Sequence, residues 1–352
     1  MDRYQSFVPV NILTGFLGSG KTTLLQRLLA SPRLARTAVL INELGEVGLD
    51  HLLLQHLDEQ TVLLKSGCLC CTIRGDLSEA IRGLYDKRAR RLIPRFDRLA
   101  VETTGLADPA PIVFTLMAEP VVRHHFRLGN IVTTVDAVNG RAHLDDNPES
   151  VKQVAVADRL VITKTDIAEA AAVAALRARL ARLNPTARLL DAAAERFDAA
   201  AVLTSDPYDP ATKSDEVRRW LRREADEADE AGARPPHGHD VNRHDRNIRS
   251  FAVTVEEPLD WTAFGIWLTM LLHAHGPDVL RVKGLLNVAG VPAPVVIHGV
   301  QHVIHPPAHL DAWPDADRRS RIVFIVRGLE PAAIERSLAA FNRLANPSRR
   351  AA

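Results

Sequence analysis

Cysteine is scarce in this chain and nowhere dispersed: all three fall at Cys68, Cys70 and Cys71 of 352 residues. None is left to staple distant parts of a fold, which suits a reducing compartment. Charge of one sign is also lacking. With Lys+Arg at 44 and Asp+Glu at 43, no global field draws the chain to nucleic acid or to an anionic membrane. Long hydrophobic runs are missing too. The apolar stretch from Phe7 to Leu17 is strand-length and has no signal-peptide layout. Nothing reaches the roughly 20 apolar residues of a bilayer span. These absences predict a cytoplasmic protein with no membrane and no nucleic-acid partner. What remains is ordinary for a soluble globular chain, at 46% hydrophobic and 25% charged residues. The length allows one large core and a smaller second one.

Short apolar runs alternate with helical patterns over the first two hundred residues, as in a parallel sheet with crossover helices. Strands are expected at Val8–Leu13, Thr37–Asn42, Arg98–Glu102, Asn130–Val135 and Arg159–Thr163. Helices are expected at Lys21–Leu29, Asp76–Arg90, Ala110–Met117 and Ile167–Leu183. The fold class is α/β: a nucleotide domain with a mostly parallel, doubly wound sheet over residues 1–205, its chemistry at the C-terminal edge. Residues 206–247 read as a charged linker containing His237, His239 and His244. A smaller α+β domain follows over 248–346, with strands at Phe251–Val255, Leu280–Val288, Val295–Ile304 and Arg321–Val326. Its helices are expected at Trp261–His273 and Pro331–Leu344.

Gly15-Phe16-Leu17-Gly18-Ser19-Gly20-Lys21-Thr22 is a complete phosphate-binding loop between a strand and a helix. The backbone N–H groups of Gly18, Ser19, Gly20 and Lys21 would cradle phosphate oxygens at the helix N-terminus. Lys21 would neutralise the β- and γ-phosphates, and Thr22, with Thr23 beside it, would bring its hydroxyl to Mg²⁺. Downstream, Leu99-Ala100-Val101-Glu102-Thr103-Thr104-Gly105 ends an apolar strand in a carboxylate that can reach the Mg²⁺ shell. Gly105 could meet the γ-phosphate through its N–H, so this loop would tell triphosphate from diphosphate.

Base choice rests on Thr163-Lys164-Thr165-Asp166. Asp166 can accept from both N1–H and the 2-amino group of guanine, a donor pair that adenine lacks. The usual guanine motif opens with asparagine, here replaced by Thr163. The competing reading is a strand end whose Asp166 caps the next helix.

Gly67-Cys68-Leu69-Cys70-Cys71 can present two or three sulfurs to one ion only where the backbone turns, because adjacent strand side chains point to opposite faces. Thiolates favour Zn²⁺ or other soft to borderline ions. Three sulfurs leave a four-coordinate site incomplete, which suits delivery better than permanent structure. The carboxylates of Asn42–Asp50 lie where a switch loop would be, and Glu43 is the preferred fourth ligand. Buried small thiols, a Cys68–Cys71 redox pair and a chance cluster are the alternatives.

Together, Gly15–Thr22, Asn42–Asp50, Gly67–Cys71, Glu102–Pro109 and Thr163–Asp166 resemble the CobW-type branch of the SIMIBI class of P-loop GTPases. Leu280–Leu285 and Arg321–Ile325 resemble the CobW C-terminal domain, so the likeness runs over nearly the whole chain. That family includes zinc metallochaperones. The resemblance implies slow GTP hydrolysis coupled to binding and handing over zinc, cobalt or iron. It implies Cys70, Cys71 and Glu43 as metal ligands, with Cys68 as a support or third ligand. It also implies a client metalloprotein met through the C-terminal domain, and it leaves a homodimer open. Two other functions stay in view: a small-molecule phosphotransferase, with Glu102 the one candidate base, and a thiol redox switch that uses GTP as a regulator.

Overall fold

In the computed structural model, the structure describes residues 7–42, 62–66, 73–204 and 248–345. The chain divides into two compact units.

The N-terminal unit is built on a seven-stranded sheet: β1 (Val8–Gly15), β2 (Thr37–Asn42), β3 (Val62–Ser66), β4 (Arg98–Glu102), β5 (Phe126–Asp136), β6 (Arg159–Thr163) and β7 (Arg188–Asp191). Their order is β3-β2-β4-β1-β5-β6-β7, and every pairing is parallel. Such a sheet is covered on both faces, so its strands need no polar alternation. β4 and β6 are accordingly buried along almost their whole length. On one face Leu13, Val39, Ala100, Val132 and Val161 meet Leu24, Leu25 and Leu28 of the helix Lys21–Leu29.

β5 begins four residues before the expected Asn130, running unbroken through Gly129. The glycine is no breaker here. A Cβ at that position would come within 2.6 Å of Asn11 Oδ1, which accepts from Asn130 N–H at 2.9 Å. The β1–β5 register shifts between Val10 and Ile12 at the same place, so the glycine marks an irregularity in the ladder.

The C-terminal unit is an antiparallel sheet of β8 (Ile248–Val255), β9 (Val279–Leu286), β10 (Val295–Val300), β11 (Val303–Ile304), β12 (Ala308–His309) and β13 (Ser320–Arg327). The order is β11-β10-β9-β13-β8, with β12 paired to β10. The expected strand Val295–Ile304 is a hairpin, turning at Gln301 with φ 50°. The helices Trp261–His275 and Pro331–Ala345 bury Trp267, Leu268, Ile334 and Leu338 with Phe324 and Val282 of the sheet. Asp260 caps the first of them, accepting from Ala263 N–H at 2.8 Å. No described helix is long and apolar enough to cross a membrane.

Candidate functional site

Parallel strands put all their C-terminal ends on one edge, and the sequence places its motifs there. β1 ends at Gly15, whose φ of 140° lies where only glycine is relaxed; a Cβ there would strike Thr134 Oγ1 at 2.3 Å. Gly18 and Gly20 follow at φ 70° and 86°, wrapping the loop back so that the helix opens at Lys21. The loop is braced from below. Ser19 and Thr134 hydroxyls share a hydrogen bond of 2.6 Å, and Ser19 N–H reaches Phe16 O at 3.1 Å. Lys21 Nζ donates to Gly15 O at 3.0 Å and Phe16 O at 3.1 Å, so its charge is held across the mouth of the loop. Thr23 is exposed on the first helical turn.

The second half of the motif arrives from the neighbouring strand. Glu102, only 5% exposed, accepts a 2.8 Å hydrogen bond from the Thr22 hydroxyl. The two residues are 80 apart in sequence. Thr103 N–H donates to Leu13 O and its hydroxyl to Thr14 Oγ1. Gly105 then lies flat against the phosphate loop: a Cβ on it would sit 2.6 Å from Leu17 N. A paired hydroxyl and carboxylate beside a glycine-lined, N–H-rich loop is a donor set suited to Mg²⁺ and phosphate oxygens.

Thr163, Lys164 and Asp166 close the other side. Thr163 Oγ1 donates to Ser19 O at 2.8 Å, tying this turn to the phosphate loop through the very residue that departs from the usual asparagine. Lys164, at φ 59°, donates from Nζ to Gly18 O at 2.9 Å and to Asp136 Oδ2 at 2.6 Å. Asp166 is exposed at the rim. The next helix starts at Ala170, four residues on, so Asp166 does not cap it.

Besides Thr134, two residues at this edge are not legible in the sequence, Asp136 and Gln153. Asp136 closes β5 as Glu102 closes β4. Burial opposes its charge, but hydrogen bonds from Lys164, Val138 N–H and Asn139 outweigh that and hold its carboxyl below the usual range. A strand-end carboxylate was the available signal. Gln153, fully buried in the helix Pro148–Val156, donates to Gly105 O at 3.1 Å and Ala107 O at 2.9 Å. Nothing in its helix marks it out beforehand. Gln153→Ala would leave two carbonyls without this donor, and is expected to destabilise the fold by about 1–3 kcal/mol in urea unfolding.

Residues 9–191 match the model of the family described as CobW/HypB/UreG, nucleotide-binding domain. Residues 248–342 match that of the cobalamin synthesis protein cobW C-terminal domain. The chain belongs to the CobW/HypB/UreG family. It is 31% identical over 319 residues to the zinc chaperone YjiA of Escherichia coli, covering 90% of this chain and 93% of the relative. To the zinc-regulated GTPase metalloprotein activator 1 of Schizosaccharomyces pombe it is 34% identical over 209 residues, 57% of this chain and 50% of that one. The crystal structure of Zn(II)-bound YjiA GTPase from E. coli superposes with a TM-score of 0.68 at 26% identity, covering 95% and 99% of the two chains.

The other elements expected of a CobW-family chain fall elsewhere. Glu43, Cys68, Cys70 and Cys71, and the linker histidines His237, His239 and His244, lie outside the described residues. Among the described residues, no cluster of three or more His, Cys, Asp or Glu side chains is arranged to hold a metal ion. The backbone flanking the cysteine run is described. Asn42 and Ser66 are direct cross-strand partners on β2 and β3, and the helix Ile73–Ala89 resumes two residues after Cys71.

Proposed function

We propose that this protein is a GTP-hydrolysing metal carrier. It takes up a transition metal, zinc foremost, at Cys68, Cys70, Cys71 and Glu43, and passes it to a client metalloprotein in a nucleotide-dependent way. The observation that carries this reading is one row of residues at the sheet edge. Leu13 pairs with Glu102, Glu102 with Ile41, and Ile41 with Lys65; Asn42 and Ser66 follow as the next pair. Glu43 therefore leaves β2, and the cysteine run leaves β3, from adjacent strand ends about 4.8 Å apart. The strand ending in Glu102 stands on the other side of β2. A loop that shifts with nucleotide state after β4 thus follows the strand beside β2, whose end precedes Glu43 in the chain, and this supports coupling between the two functions.

The geometry supports the following residue roles. Amides of Gly18, Gly20 and Lys21 would hold phosphate oxygens and Lys21 would offset their charge, while Ser19 N–H, expected to share that role, donates to Phe16 O instead. Thr22 and Glu102 would hold Mg²⁺, which would supply positive charge to offset that of the phosphates. Gly15 gives the loop its close fit to β5, and Gly105 offers its N–H to the terminal phosphate. Asp166 reads the guanine edge, with Thr163 and Lys164 anchoring its turn to the loop. Relatives named as zinc chaperones and as a zinc-regulated GTPase support zinc as cargo. The C-terminal unit is assigned to client contact. Its helix Trp261–His275 leaves Trp261, Ile266 and Met270 exposed at 43%, 51% and 57%.

Phosphate release tests the catalytic part of this reading. The full chain with Mg²⁺ is expected to hydrolyse GTP and leave ATP intact. Glu102→Gln should lower the GTP rate by about 10–100-fold, the scale seen when a metal's supporting shell is altered. Equal turnover of both nucleotides, or an unaffected Glu102→Gln variant, would overturn it.

A further inference from the structure

The edge of the parallel sheet opposite the phosphate loop carries a second feature. There the helix Ile73–Ala89 ends and the chain turns back toward β4. Tyr85, Arg88, Ala89, Arg91, Ile93 and Arg95 line a cavity of about 530 Å³. Three arginines belong to its lining, and no carboxylate does. Two acidic residues flank it in sequence: Asp86, which does not belong to the lining, and Asp97, which is paired with Arg36 and stands 4.0 Å from Arg95.

Basic residues at a helix C-terminus often do no more than complement the helix dipole. Lys87 and Arg88 of the last turn already supply that. Arg91 lies beyond it, at φ 57°, where Leu92 N–H bonds back to Lys87 O at 2.9 Å and glycine is the relaxed choice. A charged side chain stands at a backbone position that disfavours it, and the dipole does not account for it. The walls are also fixed. Arg88 lies 5.0 Å over the ring of fully buried Phe96, and Tyr85 stacks on His125 at 3.9 Å.

We infer that this cavity binds a small phosphate-bearing anion, a phosphomonoester or pyrophosphate group on a compact organic body. Guanidiniums match phosphate oxygens with paired N–H donors, and three of them call for a ligand with at least two negative charges. Ile93, Ala89 and the Tyr85 ring offer apolar surface to the rest of the ligand. The volume falls within the roughly 300–1,000 Å³ typical of small-molecule sites.

The test is calorimetric titration of the full chain with pyrophosphate, its nucleotide site saturated with GDP, free Mg²⁺ held constant and no transition metal present. A second binding event is expected, weakened at least tenfold by Arg91→Gly and by Arg95→Gln. Arg91→Gly should leave the thermal midpoint unchanged or higher, because glycine is relaxed at that φ. Its loss of binding would then not be a loss of fold. No second event, or equal binding by both variants, would overturn the site. A hexaglutamate peptide that binds there as tightly as pyrophosphate would overturn the phosphate assignment.

Discussion

Replacing Lys21 with alanine is expected to lower GTP hydrolysis at saturating nucleotide by at least about 100-fold, the loss typical of removing one preorganised stabiliser of transition-state charge. Phosphoryl transfer asks little covalent chemistry of the protein and much positioning of charge. Lys21 is well placed for that, since Gly15 O and Phe16 O hold its ammonium at the mouth of the loop before any phosphate oxygen is considered. The rest of the loop does not depend on it. The Ser19–Thr134 bond and the Thr163 bond to Ser19 O remain, so the variant should fold. Single-turnover phosphate release with matched thermal melts checks both points. A variant within about threefold of the parent rate would show that the loop is not the phosphate site.

Asp166→Asn should exchange guanine for xanthine. A carboxylate offers two acceptors, matching N1–H and the 2-amino group of guanine. Asparagine offers one acceptor and one donor, matching N1–H and the 2-oxo group of xanthine. A site built on such a pair rejects the mismatched base by on the order of 10⁴-fold, because polar groups are left unpaired. Competition of GTP and XTP against a fluorescent GDP analogue reads the change directly. The turn that presents Asp166 is held independently of it, by Lys164 on Gly18 O and Asp136 and by Thr165 on Asp191. Unchanged GTP affinity would therefore mean that Asp166 does not read the base.

How much of this was legible beforehand varies with position in the sheet. β1, β2, β4 and β6 are interior strands buried on both faces, and continuous apolar runs announce them. In the parallel sheet, the strands not legible in the sequence, β3 and β7, are the two edges of the order. β7 is only half-buried and four residues long, too little for an apolar run to stand out. The short helices Pro120–His125, Gly140–Asp146 and Pro148–Val156 went unseen for a related reason, since two or three turns barely establish a period. At the site, residues contiguous in a motif were readable: Gly15 to Thr22, Glu102, and Thr163 to Asp166. Those whose role is a long-range bond were not. Thr134 braces Ser19 from 115 residues away, and Gln153 holds Gly105 from 48. Thr163 belongs to both groups. Its departure from asparagine was visible, while the hydroxyl bond to Ser19 O that the threonine supplies required the fold.

Nucleotide state is expected to set metal affinity. An anaerobic zinc titration of the reduced full chain, in a Mg-GTP analogue and again in Mg-GDP, measures this. The expected result is a difference of about 5–150-fold between the two states, the usual range of coupling between sites. Cys70→Ala or Cys71→Ala should abolish that difference. Equal affinity in both states, or no zinc bound in either, would contradict a nucleotide-gated carrier.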